Sequence, residues 1–439
     1  MTQTVDTSAR GQARAPAGGR LGFNIGILFG LQLANLVLPL INVPYLVRTL
    51  GASGFGQVAF AAAVIAYLSA VVDFGFGFTG TRAAAASAAS PARLGRLLMS
   101  VTAVRTGLLG VSLVALALLM GLPRIRADAA VLAASSLSLL GTALFPGWIL
   151  QGMERMRLLA LASLFGRGAS VLLTFLLVRG PGDTLRAAAL QAACMLFSLT
   201  VVIVPLVKLI PVRHWRMDLP TARALLSDSA HVFVSSASIT MYTSGVTIVL
   251  GLFASAAAVG AFSAANKVAV AFCSMLWSPV SQGTYPRVAA LLGQGKHAAA
   301  TKLLQQILRS VLPVGMLLTA ALWLLAPFVV HVALGPGMDA AVPLLRILSA
   351  LPALLVISNF FGSLVLFLNG MFSTAARIQL MVALCSFAWV IPLVLTREAT
   401  GAAYGAMITE VLITLAFVYA CRAHGLLSWA GLPLRIGPK

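Results

Sequence analysis

The feature that most constrains this chain is an apolar run of about 20 residues that recurs along almost its whole length. At about 1.5 Å of rise per residue, each run reaches across a hydrocarbon core of about 30 Å as a helix. Lipid offers no partners to backbone N–H and C=O groups, and a helix supplies them within one segment. The chain therefore reads as an all-α integral membrane protein. Only 9% of its 439 residues are charged, against roughly 25% in soluble domains. That leaves too little polar surface for a nucleic-acid site, so the net charge of +20 does not point to nucleic acid as a partner.

Twelve helices are expected, at about 22–47, 55–79, 97–121, 129–150, 158–178, 185–209, 229–253, 257–281, 306–330, 340–368, 374–396 and 400–421. Twelve crossings return both ends to one side. If that side is the cytoplasm, twenty Lys and Arg fall on inner loops and tails, six on outer loops and four inside spans. Cations collect on cytoplasmic loops, which fixes the orientation and accounts for most of the net charge. The expected organisation is a disordered cytoplasmic tail (1–21), a first six-helix bundle (22–210), a cytoplasmic linker (211–228), a second six-helix bundle (229–422) and a cytoplasmic tail (423–439). Outer loops are too short for a catalytic domain. Cys194, Cys273, Cys385 and Cys421 are single and scattered, which gives no metal or disulfide pattern.

The halves echo each other. Leu50-Gly51-Ala52-Ser53, then Gly56 and Phe60, are followed about 200 residues later by Leu250-Gly251, Ala254-Ser255, Gly260 and Phe262. Leu150-Gln151-Gly152-Met153 is matched by Leu368-Asn369-Gly370-Met371. Each half has an even number of spans, so the copies point the same way. This is a parallel repeat about an axis along the membrane normal.

Polar groups inside the spans must face a partner, water or a substrate. Asn24, Gln32, Asn35 and Asn42 share one face of the first span, within about 80° on a wheel of about 100° per residue. Pro44 is expected to kink the helix above them. The seventh span carries His231, Ser235, Ser238 and Tyr242 on one face and Ser236, Thr240, Thr243 and Thr247 on the other. In the eighth, Ser263, Lys267, Ser274, Ser278 and Ser281 form a stripe. A hydrophilic cavity would use such stripes. For isolated Ser and Thr, hydrogen bonding between helices is the plainer reading. The bulky amides of Gln32, Asn35 and Asn42 are harder to hide and favour the cavity.

Ionisable residues in a membrane are costly and usually functional. Arg167, Lys267 and Glu410 fall near mid-depth of the fifth, eighth and twelfth spans, whereas Arg105 and Arg346 are shallower. Lys267 and Glu410 are candidates either for substrate contact or for an ion pair with each other. Glu410 and Asp73 are the acids placed for ion coupling, although Asp73 near a span end suits a structural role as well. The Asp73-Phe74-Gly75-Phe76-Gly77 segment has glycines that permit a hinge. Gly26/Gly30 and Gly401/Gly405 read as packing pairs. Gly293-Gln294-Gly295-Lys296-His297 lacks the spacing of a phosphate-binding loop, and the five histidines are far apart. Neither an enzyme activity nor a cofactor is expected.

Several of these segments together resemble the polysaccharide (Wzx-type) flippases of the multidrug/oligosaccharidyl-lipid/polysaccharide exporter superfamily. The carriers are Pro44-Tyr45-Leu46-Val47-Arg48 with Gly51, Gly54-Phe55-Gly56, Asp73-Phe74-Gly75-Phe76 leading to Arg82, Phe145-Pro146-Gly147-Trp148, Gln151-Gly152-Met153, and Ser263-Ala264-Ala265-Asn266-Lys267. The resemblance spans nearly all of 22–422. It implies two six-helix bundles in a V around a central cationic cavity. It also implies passage of an undecaprenyl-diphosphate-linked oligosaccharide from the inner to the outer leaflet of the bacterial cytoplasmic membrane, for O-antigen, capsule or exopolysaccharide. By position Arg48, Arg82, Arg167 and Lys267 match recurrent basic sites. The expected substrate contacts are therefore Arg167, Lys267, Arg48, Arg82, Arg105, Arg346, Gln32, Asn35, Asn42 and Tyr242. Tyr45, Trp148, Tyr242 and Trp277 are placed to stack on sugars or to anchor span ends. Membrane lipids, a polysaccharide polymerase and chain-length machinery are the further candidate partners. The short stretch after Arg422 fits a twelve-span relative, where many have fourteen. The rival readings are a drug or cation antiporter of the same superfamily, which would need acids in its cavity, and a membrane glycosyltransferase or polymerase.

Overall fold

The computed structural model describes residues 18–123 and 125–426, with side chains from 41 onward together with Leu38. Most of both expected tails, 1–17 and 427–439, lies outside the described residues, as do the side chains of Asn24, Gln32 and Asn35 and the Gly26/Gly30 pair's packing. Among the described residues every regular element is helical.

Ten stretches are long and apolar enough to cross a bilayer. Two of them hold a reversal. The helix Gly18–Asp73 breaks at Gly51 with φ 70°, a conformation that glycine enters without a steric penalty. Phe372–Ala423 breaks at Glu398 with φ 44°. Beyond that break Gly401 lies on Leu393 and Gly405 on Val390, the pairing of an antiparallel hairpin. This glycine pair is used for packing, as expected. With each broken stretch counted as two, the described residues hold about twelve spans.

The first runs from Gly18 to the break at Gly51. The second continues to Asp73 and, after a bend, through Phe76–Ser87. Then come Pro91–Met120, Arg126–Gly152, Met156–Leu177, Pro181–Leu209, Leu219–Phe253, Ala256–Gly293, His297–Leu324 and Ala341–Leu366. The halves of Phe372–Ala423 are the eleventh and twelfth. A short helix, Ala326–Leu334, follows the ninth span.

The seventh span starts at Leu219, well before the expected 229, so part of the expected linker is helix. Asp218 caps it, its carboxylate accepting from Thr221 N at 3.2 Å, and Pro220 fits the first turn, where its missing N–H costs nothing. Ser100 of the third span donates to the Asp218 carbonyl at 3.1 Å and accepts from its N–H at 3.0 Å. The extension is thus fastened to the first half.

The second span packs against the second half along two sides. The second and eighth spans cross where neither backbone leaves room for a side chain. A Cβ on Gly56 would lie 1.8 Å from the carbonyl oxygen of Ala256, and one on Gly260 would lie 1.9 Å from that of Ala52. Ala52 and Gly56 meet Ala256 and Gly260 in exchanged roles, as two copies related by a two-fold axis would. The repeat read from sequence is therefore realised as a crossing of small residues. Along its other side the second span zips onto the seventh, antiparallel. Phe60 fills the space above Gly251, the Tyr67 hydroxyl donates to Met241 O at 3.0 Å, and Phe74 stacks on Phe233 at 4.5 Å. The Thr79 and Ser229 hydroxyls are bonded at 2.6 Å.

Candidate transport cavity

A cavity of about 830 Å³ opens within the second half, beside the end of the first span. The eighth span supplies Phe262, Asn266, Lys267, Val270 and Ser274, the seventh Tyr242 and Thr243, and the twelfth Thr409 and Glu410. Val43 and Pro44 close it from the first half, and the short helix after the ninth span adds Phe328 and Val332. Most of the wall is apolar, so its few polar groups act in a medium that screens charge weakly.

Lys267 lies over the ring of buried Phe55, its Nζ 5.2 Å from the centroid, a cation–π contact that holds the ammonium at the wall. Glu410 is only 2% exposed, and its Oε1 accepts no hydrogen bond among the described residues. Lys267 and Glu410 line the same cavity but do not pair with each other within 4 Å. The ion-pair alternative is therefore not what this structure adopts. Beside Glu410, the Thr409 hydroxyl accepts from Trp389 Nε1 at 3.1 Å and donates to Gly405 O at 2.7 Å, which fixes the twelfth span against the eleventh.

A second cavity of about 480 Å³ continues from the first along the eighth span. Val270, Ser274 and Leu355 line both. Ser274, Ser278 and Ser281 line this continuation, so much of the stripe predicted from helical periodicity is a cavity wall. Ser263, at the stripe's N-terminal end, is buried instead, with its hydroxyl unpartnered among the described residues.

The other candidate residues go elsewhere. Arg105 is 4% exposed and forms an ion pair with Asp73 across the bend of the second span. It also donates to Thr142 O at 3.3 Å and lies over Phe76 at 5.9 Å. The bend places Phe74 and Gly75 at positive φ, so Asp73 meets the third span where the helix stops. Arg48 donates to Val332 O, and its stem covers Gly335, which fastens the first span to the short helix. Arg82 pairs with Asp228 at 3.7 Å, both exposed. Arg346 is exposed over Trp323 at 5.7 Å. Arg167 is exposed on the fifth span, on the side of Cys194, and is not part of the cavity wall. Asn42 is buried with its Oδ1 unpartnered, one residue before the cavity-lining Val43.

Of the four aromatics, Tyr242 and Trp277 line cavities. Tyr45 is a packing residue that donates to Val178 O at 2.6 Å, and buried Trp148 fills the space over Gly80. The seventh-span hydroxyls Ser238, Thr240 and Thr243 bond back to carbonyls of their own helix and not across to a neighbouring one, and of the three Thr243 also lines the cavity. Sequence reasoning missed Asn266, Thr409, Gln282 and Asn359 as wall residues. Gln282 follows Ser278 by four positions, and that helical spacing was a usable signal.

Helices long and apolar enough to cross a membrane, in two packed halves, with Lys267 and Glu410 on the wall of an internal cavity, define a multi-pass membrane protein. The chain belongs to the family described as polysaccharide biosynthesis proteins, which matches residues 21–292. It is similar to a "Putative O-antigen transporter" of Escherichia coli (strain K12), at 30% identity over 405 residues, covering 92% of this chain and 97% of that one. Two solved structures share the fold. One is an inward-facing multidrug resistance MATE family transporter of the MOP superfamily, with TM-score 0.68 and 16% identity over 90% of this chain and 95% of that one. The other is the lipid II flippase MurJ in an inward closed conformation, with TM-score 0.66 and 13% identity over 90% of this chain and 87% of that one.

Proposed function

We propose that the chain is a secondary transporter, not an enzyme, that passes an undecaprenyl-diphosphate-linked oligosaccharide from the inner to the outer leaflet of the bacterial cytoplasmic membrane. The product would feed O-antigen, capsule or exopolysaccharide synthesis, alongside a polymerase and chain-length machinery. The observation that carries the reading is Lys267, a cation on the wall of a largely apolar internal cavity with no carboxylate in ion-pair reach among the described residues. A diphosphate supplies the missing anion, and the polyprenyl tail can stay in lipid. The family and the named function of the Escherichia coli relative support the same substrate class.

The distribution of cations puts both termini in the cytoplasm. The bundles then divide between Leu209 and Leu219, and the Gly56–Gly260 crossing lies at the outer end. In this arrangement the outer end is closed and loading is from the cytoplasm. Parting that crossing while the inner end closes is the alternating-access step.

The test is removal of the gene followed by lipid analysis. Lipid-linked repeat units should accumulate on the cytoplasmic leaflet. Loss of a charge-assisted contact of about 1.5–3 kcal/mol should slow flipping by roughly 10- to 100-fold in Lys267→Ala, with the protein still in the membrane. Unchanged flipping in that variant would remove Lys267 from the mechanism. One observation favours a second reading: Glu410 and the apolar wall also suit a lipophilic cation. A normal lipid pool with increased drug sensitivity in the deletion strain would establish that alternative.

A further inference from the structure

The two cavities differ in chemistry, and the difference divides the work between them. The larger one carries both ionic groups, Lys267 and Glu410. Among the described residues, no Lys, Arg, Asp or Glu lines the smaller one. Its polar groups are the hydroxyls of Ser274, Ser278 and Ser281 and the amides of Gln282 and Asn359, with the indole of Trp277 among them. Neutral donors and acceptors around one aromatic face suit a neutral polyhydroxylated ligand, whose ring C–H face rests on an indole while its hydroxyls take hydrogen bonds.

The bonding state of these groups fits a receptive site. The Gln282 amide donates to Ser278 Oγ at 2.8 Å, which orients both. Asn359 donates to Leu355 O at 2.9 Å, leaving its carbonyl oxygen with only a long contact from Ser363 at 3.5 Å. Ser274 and Ser281, half-buried, have no hydrogen-bond partner among the described residues. Immediately after Asn359 the tenth span departs from α geometry into a π-helical stretch, Phe360–Leu366. Such stretches interrupt the regular backbone ladder and occur often at functional sites. The volume of about 480 Å³ lies within the usual range of roughly 300–1,000 Å³ for small-ligand clefts. Ser274 follows Lys267 by two helical turns, about 10 Å along the axis, a spacing that lets one headgroup reach both.

We propose that the Ser274–Gln282 face of the eighth span, with Asn359 and Trp277, is the subsite for the neutral sugar rings, and that it acts separately from the anion subsite at Lys267. This rests on the flippase reading above and adds to it the part of the wall that distinguishes a glycosylated lipid from its bare diphosphate.

The experiment compares two lipids on the full-length protein in nanodiscs. One is the lipid-linked repeat unit purified from a strain lacking this chain, and the other is undecaprenyl diphosphate without sugar. Ser274→Ala/Asn359→Ala and Trp277→Ala should weaken binding of the sugar-bearing lipid about tenfold or more, since two lost hydrogen bonds of roughly 1 kcal/mol each correspond to that factor. They should leave the sugar-free lipid within about twofold, which also shows that the variants are folded. Trp277→Phe should recover part of the loss. Lys267→Ala should weaken both lipids. Equal losses for the two lipids in the sugar-face variants, or no loss for either, would overturn the subsite. If Lys267→Ala alters neither lipid while the sugar-face variants still discriminate, the anion reading fails and the sugar subsite stands.

Discussion

The crossing of Gly56 and Gly260 yields the sharpest mechanical prediction. Adding one methyl at Gly260 places a carbon 1.9 Å from the Ala52 carbonyl oxygen, where a relaxed C···O contact is about 3.3 Å or more. The spans must therefore separate by well over an ångström. Backbone atoms on both sides cannot rotate away, so the strain falls on the crossing as a whole. Overpacking of this kind costs about 1–3 kcal/mol. Where the contact exists only when this end is closed, that cost biases the equilibrium toward the open state by roughly 5- to 150-fold. The assay is labelling from outside by a membrane-impermeant thiol reagent. The reporter is Val270→Cys, which lines both cavities, in a chain whose four native cysteines are replaced. Gly260→Ala and Gly56→Ala should each speed labelling within that range and by similar factors, because the contact is reciprocal. Unaltered labelling in a folded Gly260→Ala protein would refute the reasoning. So would acceleration by one of the two substitutions alone.

Arg105 and Asp73 make a second case: Arg105 is buried and Asp73 about a third exposed, so Arg105→Ala should lower the thermal unfolding temperature in detergent more than Arg82→Ala, whose pair with Asp228 is exposed, by less than the roughly 3–5 kcal/mol that a fully buried pair loses. A third concerns the driving force. An inside-negative potential favours outward movement of an anion by about 2.3 kcal/mol per charge per 100 mV, hence about 4–5 kcal/mol for a diphosphate with roughly two charges. Collapsing the potential in inverted vesicles should suppress flipping while Glu410→Gln retains it, and the opposite pattern would assign the driving force to a coupled ion at Glu410.

Legibility in the sequence followed the range of the signal. The eighth-span stripe was readable because helical periodicity alone fixes which residues share a face, and Lys267, Ser274, Ser278 and Ser281 do line one continuous wall. The hydroxyls of the seventh span obey the same periodicity, yet they bond to their own helix. Periodicity gives direction but not the neighbour. Arg105, Arg48 and Arg82 were indistinguishable from Lys267 as basic residues at or near spans, because their partners Asp73, Val332 and Asp228 come from other helices.

By itself the sequence determined the solvent, the helical class, the approximate number of crossings and the repeat. Each of these depends on runs, local spacing and the number of cations between runs, which survive without knowledge of any contact. Only the tertiary structure decided where charge remains available. Packing spent most of the basic candidates on carbonyls, carboxylates and rings and left Lys267 and Glu410 facing one cavity without joining. That outcome depends on how closely helices approach, and at Gly56 and Gly260 the approach is limited by the absence of two methyl groups. The same apolar runs that announced twelve spans say nothing about such distances, because lipid rewards every apolar face alike and only the fit of helix against helix distinguishes them.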